Sequence, residues 1–167
     1  IAEAPDLAIG AVELRFVTPD YLDALGVRLL AGRDFSAQDV DGSEPVAIVN
    51  EAFARHFWQD AAPVGRLIQI GHFRDRWIAP DLERQTRVVG VIPEVREIGL
   101  DGEPKPTVLV PRPQMADGAP VLIVRGGSTA DVMRAVTAAI EDEDSRLVPE
   151  VESMQTVVGR SVTAPRI

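Results

Sequence analysis

The feature that most constrains the fold is a plan that occurs twice, once near each end of the chain. Near the start, "AVELRFV" (11–17) is a short strand pattern, "TPDYLDALG" (18–26) is a helix signal, and "VRLLA" (27–31) is a second strand closed by Gly32. Thr18 is suited to cap that helix, Pro19 to its first position and Asp20 to its positive end. Val17 and Leu22 are placed as a hydrophobic staple, and Gly26 can take the left-handed conformation that ends a helix. Near the finish, "VLIVR" (121–125) is a strand pattern and "GGS" turns it into a helix, with Ser128 and Asp131 spaced as a capping box. Val132, Ala135, Val136, Ala139 and Ile140 form one apolar stripe at helical spacing. The run "EDED" (141–144) puts negative charge where a helix C-terminus disfavours it, so this helix is expected to stop near Ile140. "LVPEVES" (147–153) then returns as an interrupted strand.

Two strand–helix–strand units side by side predict a ferredoxin-like split arrangement. Between them, roughly over 34–118, lie the strand patterns "VAIVN", "RLIQIG", "RVVGVI" and "TVLVP" and the helix "EAFARHFW", joined by linkers rich in Pro, Gly and charge. The expected fold is therefore α+β with two lobes. Residues 1–33 plus 119–167 would form a discontinuous ferredoxin-like split βαβ lobe, and 34–118 an inserted mixed α/β lobe. A final segment, "SMQTVVGRSV" (153–162), predicts a helix capped by Ser153, with Met154, Val157, Val158 and Val162 on one face and Arg160 and Arg166 near its end.

Composition narrows the function. Hydrophobic residues make up 46% of 167, too many for a disordered chain. A net charge of −9, from 26 acidic against 17 basic residues, opposes a nucleic-acid partner or docking on anionic lipid. With no Cys, thiol catalysis, disulfides and thiolate metal sites are excluded. The same charge leads us to expect a monomer or weak dimer in isolation. No secretory leader pattern and no apolar run of about 18–20 residues is present. A start at Ile1 and a finish at "SVTAPRI" suggest a soluble piece of a longer chain.

The stretch "GVRLLAGRDFSAQDVDGSEPVAIVNEAFARHFW" (26–58) holds three Asp, two Glu, three Arg and a His, and so raises the question of a catalytic pocket or a metal loop. "DVDGSE" (39–44) resembles part of a calcium loop. With Gly42 at the glycine position, however, the first ligand position falls on Ala37 and the closing one on Ile48, so the match fails. "RGGSTADV" has glycines between a strand and a helix but lacks the Gly-Lys-Ser/Thr or third glycine of a phosphate loop. His56 and His72, the two histidines, have no HExxH-type partner, and no GxSxG marks a nucleophile. Catalytic, cofactor-binding and metal residues are therefore all read as none, and no cofactor is expected. Phe53 and Phe57, four apart, read as core, while Trp58 and Trp77 could serve either core or partner surface. Asn50 reads as a helix cap with Glu51 on the dipole, and Arg33 and Asp34 as a polar corner before Phe35.

Five blocks in register carry a specific resemblance: "TPDYLDALGVRLLAGRDFSAQD", "PVAIVNEAFARHFW", "APVGRLIQIG", "RVVGVIPEVREIGLDGEPKPTVLVPRPQ" and "MQTVVGRSVTAPR". Together they resemble the MacB-like periplasmic core domain of ABC-transporter permeases of the MacB/FtsX type, over nearly the whole chain. Pro93 stands where relatives often have Asp. The resemblance implies a two-lobed domain, with 1–33 plus 119–167 as a porter-like lobe and 34–118 as the inserted one, between the first and second membrane helices on the periplasmic face of the bacterial inner membrane. It implies a cytoplasmic ATP-binding subunit, a second permease copy or paralogue, and a possible periplasmic adaptor as partners. It carries no catalytic residue. The alternatives are a ligand-binding sensor domain with a pocket between lobes, and a hydrolase with a spatially assembled site. Both termini are expected on one side of the molecule, feeding helices of one membrane.

Overall fold

A computed structural model describes residues 12–59, 62–70, 72–73, 76–77, 85–94, 104–114, 121–144, 146 and 149–163. The chain divides into two compact units, 1–95 with 104–119, and 96–103 with 120–167.

The first unit is organised by one strand. β3 (Val46–Asn50) is buried at every residue and lies in the middle of a mixed sheet, between β8 (Thr107–Pro111, antiparallel) and β7 (Gln85–Ile92, parallel). These three strands carry near-continuous apolar runs rich in Val and Ile, and such runs suit positions covered on both faces. β1 (Glu13–Val17) pairs in parallel with the far side of β8. Beyond β7, two short antiparallel pieces share one edge: β4 (Leu67–Gln69) on Gln85–Arg87 and β2 (Ala31–Gly32) on Gly90–Val91. The order is β1-β8-β3-β7-β2 with β4 beside β2. Hydrogen bonds from Leu30, Arg33 and Gly65 to the Val91, Val89 and Val88 carbonyls extend the cover along β7. A separate two-stranded ladder joins β5 (His72–Phe73) and β6 (Arg76–Trp77).

Period-two alternation splits the core into two faces. Val46, Ile48, Val89, Ile92 and Leu109 pack with Val17, Leu22 and Phe35 on one side. Ala47, Val49, Val88, Val91, Val108 and Val110 pack with Phe53 on the other. Val88 and Val91 share a face although three residues apart, because the register shifts between Ala47 and Ile48 and leaves one extra residue in β7. Ile48, Val49, Val88, Val110 and Leu109 are the largest sealed apolar side chains besides Pro111.

The helices follow local rules more closely than the strands do. α1 (Tyr21–Leu25) is a single turn; it begins after Asp20 (φ 72°), so Thr18 and Pro19 form the preceding turn instead of the expected cap and first helical position. Its end is as read: Gly26 at φ 69°, with the Val27 N–H donating to the Leu22 carbonyl at 2.8 Å, makes a Schellman closure. Val17 and Leu22 are buried in the same cluster, but with the helix starting after Asp20 they no longer hold the two positions of a hydrophobic staple. α2 (Glu51–Trp58) is capped by Asn50, whose Oδ1 accepts the Phe53 N–H at 2.9 Å. It ends at Gln59, held at φ 51° and ψ −110°. Glycine takes that backbone without a Cβ penalty, so Gln59→Gly should raise stability by about 1 kcal/mol. A urea midpoint that fails to rise would show that this residue carries no strain.

In the second unit, α3 (Thr129–Glu143) runs past Ile140 through the acidic residues. Those carboxylates are solvated, and Arg146 just beyond pairs with Asp144 at 2.7 Å, which supplies the cation that the helix end favours. The Ser128 side chain makes no capping bond; Asp131 instead pairs with Arg134. α4 (Met154–Thr163) starts where read, with Ser153 Oγ accepting the Thr156 N–H at 3.1 Å.

The α+β class holds, with corrections to its parts. β1 and β2 occupy opposite edges of the sheet and hydrogen-bond to strands from 85–111, so residues 13–32 belong with the segment expected to be a separate insert. The reason is burial: three continuous apolar strands take the middle and leave the half-polar β1 and the two-residue β2 to flank them. The expected boundaries at 33/34 and 118/119 thus differ from the division found. "VLIVR" forms no strand, and "LVPEVES" contributes none among its described residues. The termini and Arg166 lie outside the described residues.

Candidate functional site

The residues singled out for chemistry are used for folding. Asp39, 6% exposed, accepts both Arg33 guanidinium nitrogens at 2.8 and 2.9 Å, the Ser36 N–H at 2.7 Å and the Ser36 hydroxyl at 3.1 Å. Its oxygens are occupied, so the acidic turn is a clasp over the 33–39 corner. Asp34 adds a 2.7 Å bond from the Phe35 N–H that sets Phe35 into the core. The Arg33 hydrogen bonds, with those of Ser36, hold the Asp39 carboxyl below the usual carboxylate range, and burial opposes them. The bound state is the ionised one, so the clasp contributes in full above the unfolded carboxylate pKa of about 3.9. That contribution is lost as pH falls through the lower folded value. We expect the urea midpoint to drop over this acid range, and Asp39→Asn to flatten that part of the profile. An unchanged slope in Asp39→Asn would assign the acid sensitivity to other carboxylates.

His56 is exposed on α2 with its ring edge-to-face on Phe57, centroids 4.7 Å apart. His72 lies in β5, opposite Trp77 in β6. Among the described residues, no group of three or more His, Asp or Glu is arranged to hold a metal ion. Phe53 is buried, with the rings of Phe57 and Trp58 at 4.5 and 5.4 Å, so Trp58 joins the core margin. Arg66 covers its outer face, the guanidinium carbon 5.6 Å from the ring centroid. Val64 and Leu67 are exposed in the same segment.

Three structural hubs escaped the sequence reading. The Asn50 side chain caps α2, accepts the Thr107 N–H at 3.0 Å and donates to the Lys105 carbonyl at 2.9 Å. The cap was visible in sequence, but the two long-range bonds had no local signal. Gln114 accepts from the Val46 N–H at 3.1 Å and donates to Ser43 Oγ and the Glu44 carbonyl at 2.7 and 2.8 Å, tying the end of β8 to the start of β3. Gly32 and Gly90 face each other across the β2–β7 pair. Every buried side-chain nitrogen or oxygen among the described residues has a partner. The geometry is that of a sheet unit whose buried side-chain polar atoms, among the described residues, are spent on the fold itself.

A mixed six-stranded sheet with one capped helix among its flanking elements defines an α+β module. The sequence matches the family model of the MacB-like periplasmic core domain over residues 4–146, and the chain belongs to that family. No curated protein gives a significant match. The chain is similar in fold to the periplasmic region of MacB from Actinobacillus actinomycetemcomitans, at 18% identity and TM-score 0.52, covering 77% of this chain and 55% of that one. It also matches the extracellular domain of the ABC-type transporter YknZ from Gram-positive bacteria (18% identity, TM-score 0.42, 59% of this chain and 42% of that one). A domain of a permease protein from Porphyromonas gingivalis matches at 16% identity and TM-score 0.42, over 85% of this chain and 56% of that one. The chain spans about half the length of these solved regions. By the family match the chain is a MacB-like periplasmic core domain. No described helix is long and apolar enough to cross a membrane.

Proposed function

We propose that this domain is a non-catalytic element that couples ATP hydrolysis in the cytoplasm to conformational work, or to substrate and partner handling, outside the inner membrane. The observation that carries the reading is the family match over residues 4–146. The physical logic is that of a stiff body attached to membrane helices: with its sheet buried on both faces and its buried polar groups paired, tilting of those helices moves the unit as a whole. The partners in this reading are a cytoplasmic ATP-binding subunit reached through membrane helices, a second permease copy or a paralogue, and a periplasmic adaptor. Nucleic acid is not among them, in keeping with the net charge of −9.

The test is a full permease reconstituted with its ATP-binding subunit, in which a short flexible linker replaces residues 12–163. Assembly and nucleotide binding should persist while transport-linked ATP hydrolysis is lost. Retained transport-linked hydrolysis would refute coupling through this domain. Turnover by the purified domain in a broad hydrolase screen would refute the non-catalytic part.

A further inference from the structure

The connection between β2 and β3 is pinned at its two ends. At its start the Arg33 N–H donates to the Val89 carbonyl at 2.8 Å, which seats the Arg33 backbone on the edge of β7. At its finish Gln114 Nε2 donates to Ser43 Oγ and the Glu44 carbonyl at 2.7 and 2.8 Å. Two left-handed glycines stand at these limits, Gly32 at φ +79° and Gly42 at φ +82°. Of residues 34–42, only Phe35 and Asp39 are buried. Phe35 enters the core cluster that includes Val17, Leu22, Val89 and Leu109, and Asp39 is gripped by the Arg33 guanidinium. The bonds that shape the segment itself are short-range. Phe35 N–H donates to Asp34 Oδ1, Ser36 N–H to Asp39 Oδ2, and Asp39 N–H to the Ser36 carbonyl.

We propose that residues 34–42 are a hinged flap that swings off the sheet in one piece, with Phe35 as its plug and the Arg33–Asp39 ion pair as its latch. The pair suits a latch because its halves sit on different bodies. Arg33 stays with β7 through its backbone, while Asp39 travels with the flap. Swinging out exposes one large apolar side chain, whereas parting the sheet exposes the whole core, so the flap is the lesser opening. The short-range bonds move with the flap and keep it in one piece. Gly42 has no atom within 4 Å of its Cβ position, so the far hinge turns in open space. The open form presents an apolar slot where Phe35 stood, with the strands still paired.

The proposal does not depend on coupling, since its test needs only residues 1–167, without ATP or membrane. In native-state hydrogen exchange, the amides of Phe35, Ser36 and Asp39 should share one opening free energy. It should lie below that of residues 46–49 and depend less steeply on urea. Arg33→Gln unfastens the latch and should speed exchange at the three flap amides at least about tenfold. Asn50→Ala removes bonds to Phe53, Thr107 and Lys105 that the open form retains. It should speed exchange at 46–49 and leave the flap amides unchanged. Equal acceleration of both sets in Asn50→Ala overturns the flap, because the segment then opens only with the sheet. Should that variant not fold, the wild-type urea dependence decides: one value common to 35, 36, 39 and 46–49 overturns the flap. Three unrelated values at Phe35, Ser36 and Asp39 also overturn it, and unchanged exchange in Arg33→Gln overturns the latch.

Discussion

Asn50→Ala should lower the stability of the first unit by about 3 kcal/mol, read as a shift of the urea midpoint at unchanged m-value. Asn50 is 4% exposed and makes three hydrogen bonds through one side chain. Loss of the cap alone costs about 1 kcal/mol. The remainder comes from the Thr107 N–H and the Lys105 carbonyl, left without their partner beside the core at about 1–3 kcal/mol for each group that stays dry. Asn50→Asp separates the contributions. It keeps both acceptor bonds and favours the helix N-terminus, but loses the donation to Lys105. It should fall between wild type and alanine. If Asn50→Ala costs no more than an ordinary exposed cap, the two long-range bonds contribute nothing and water replaces them.

That residue also marks where sequence legibility ends. The cap was readable because it joins Asn50 to Phe53 within one turn, and so were the Gly26 closure and the Ser153 cap. The Phe53–Phe57 face and the buried character of "VAIVN" were readable from spacing alone. Pairing was not. Nothing in "ELRFV" states that its neighbour is "TVLVP" rather than "VRLLA", because the ladder itself is made by backbone groups common to every residue and its apolar side chains would suit either neighbour. "VLIVR" shows the same gap from the other side: strand propensity identifies a residue type that suits a sheet, but the strand itself exists only with a ladder. The candidate site was legible mainly as what it lacks the motifs for. Asp39 looked like a turn residue, and the bidentate grip of Arg33 upon it depends on a corner that only the fold closes.

Gly32→Ala should cost about 2–4 kcal/mol and disrupt the β2–β7 pair. A Cβ at Gly32 would sit 2.0 Å from the Val89 carbonyl oxygen, which is backbone and cannot swing aside. The opposing Gly90 is equally confined, its Cβ position 2.5 Å from the Arg33 carbonyl oxygen. Gly32 also has φ +79°, a conformation that costs alanine about 1 kcal/mol by itself. Gly42 provides the internal control. Its φ is +82° with nothing within 4 Å of a new Cβ, so Gly42→Ala carries the backbone cost alone. The difference between the two midpoints isolates the overpacking contribution, which runs to about 1–3 kcal/mol in tight interiors. Equal losses at the two sites would mean that β2 moves off β7 freely and that the close approach is not enforced.

The parallel pairing of β1 with β8 has a consequence for the order of events as the chain crosses a membrane. A polypeptide threaded outward from its N-terminus delivers residues 13–17 long before residues 107–111, their hydrogen-bonding neighbours. β3 is likewise flanked by two strands that arrive after it. The nascent sheet therefore cannot close until most of the domain has emerged, and its most apolar strands wait with open edges. Such long-range closure is slow, and the waiting edges are aggregation-prone. A chain that ends before residue 107 thus leaves one edge of β3 without its neighbour, the point at which the domain is most open to misassociation.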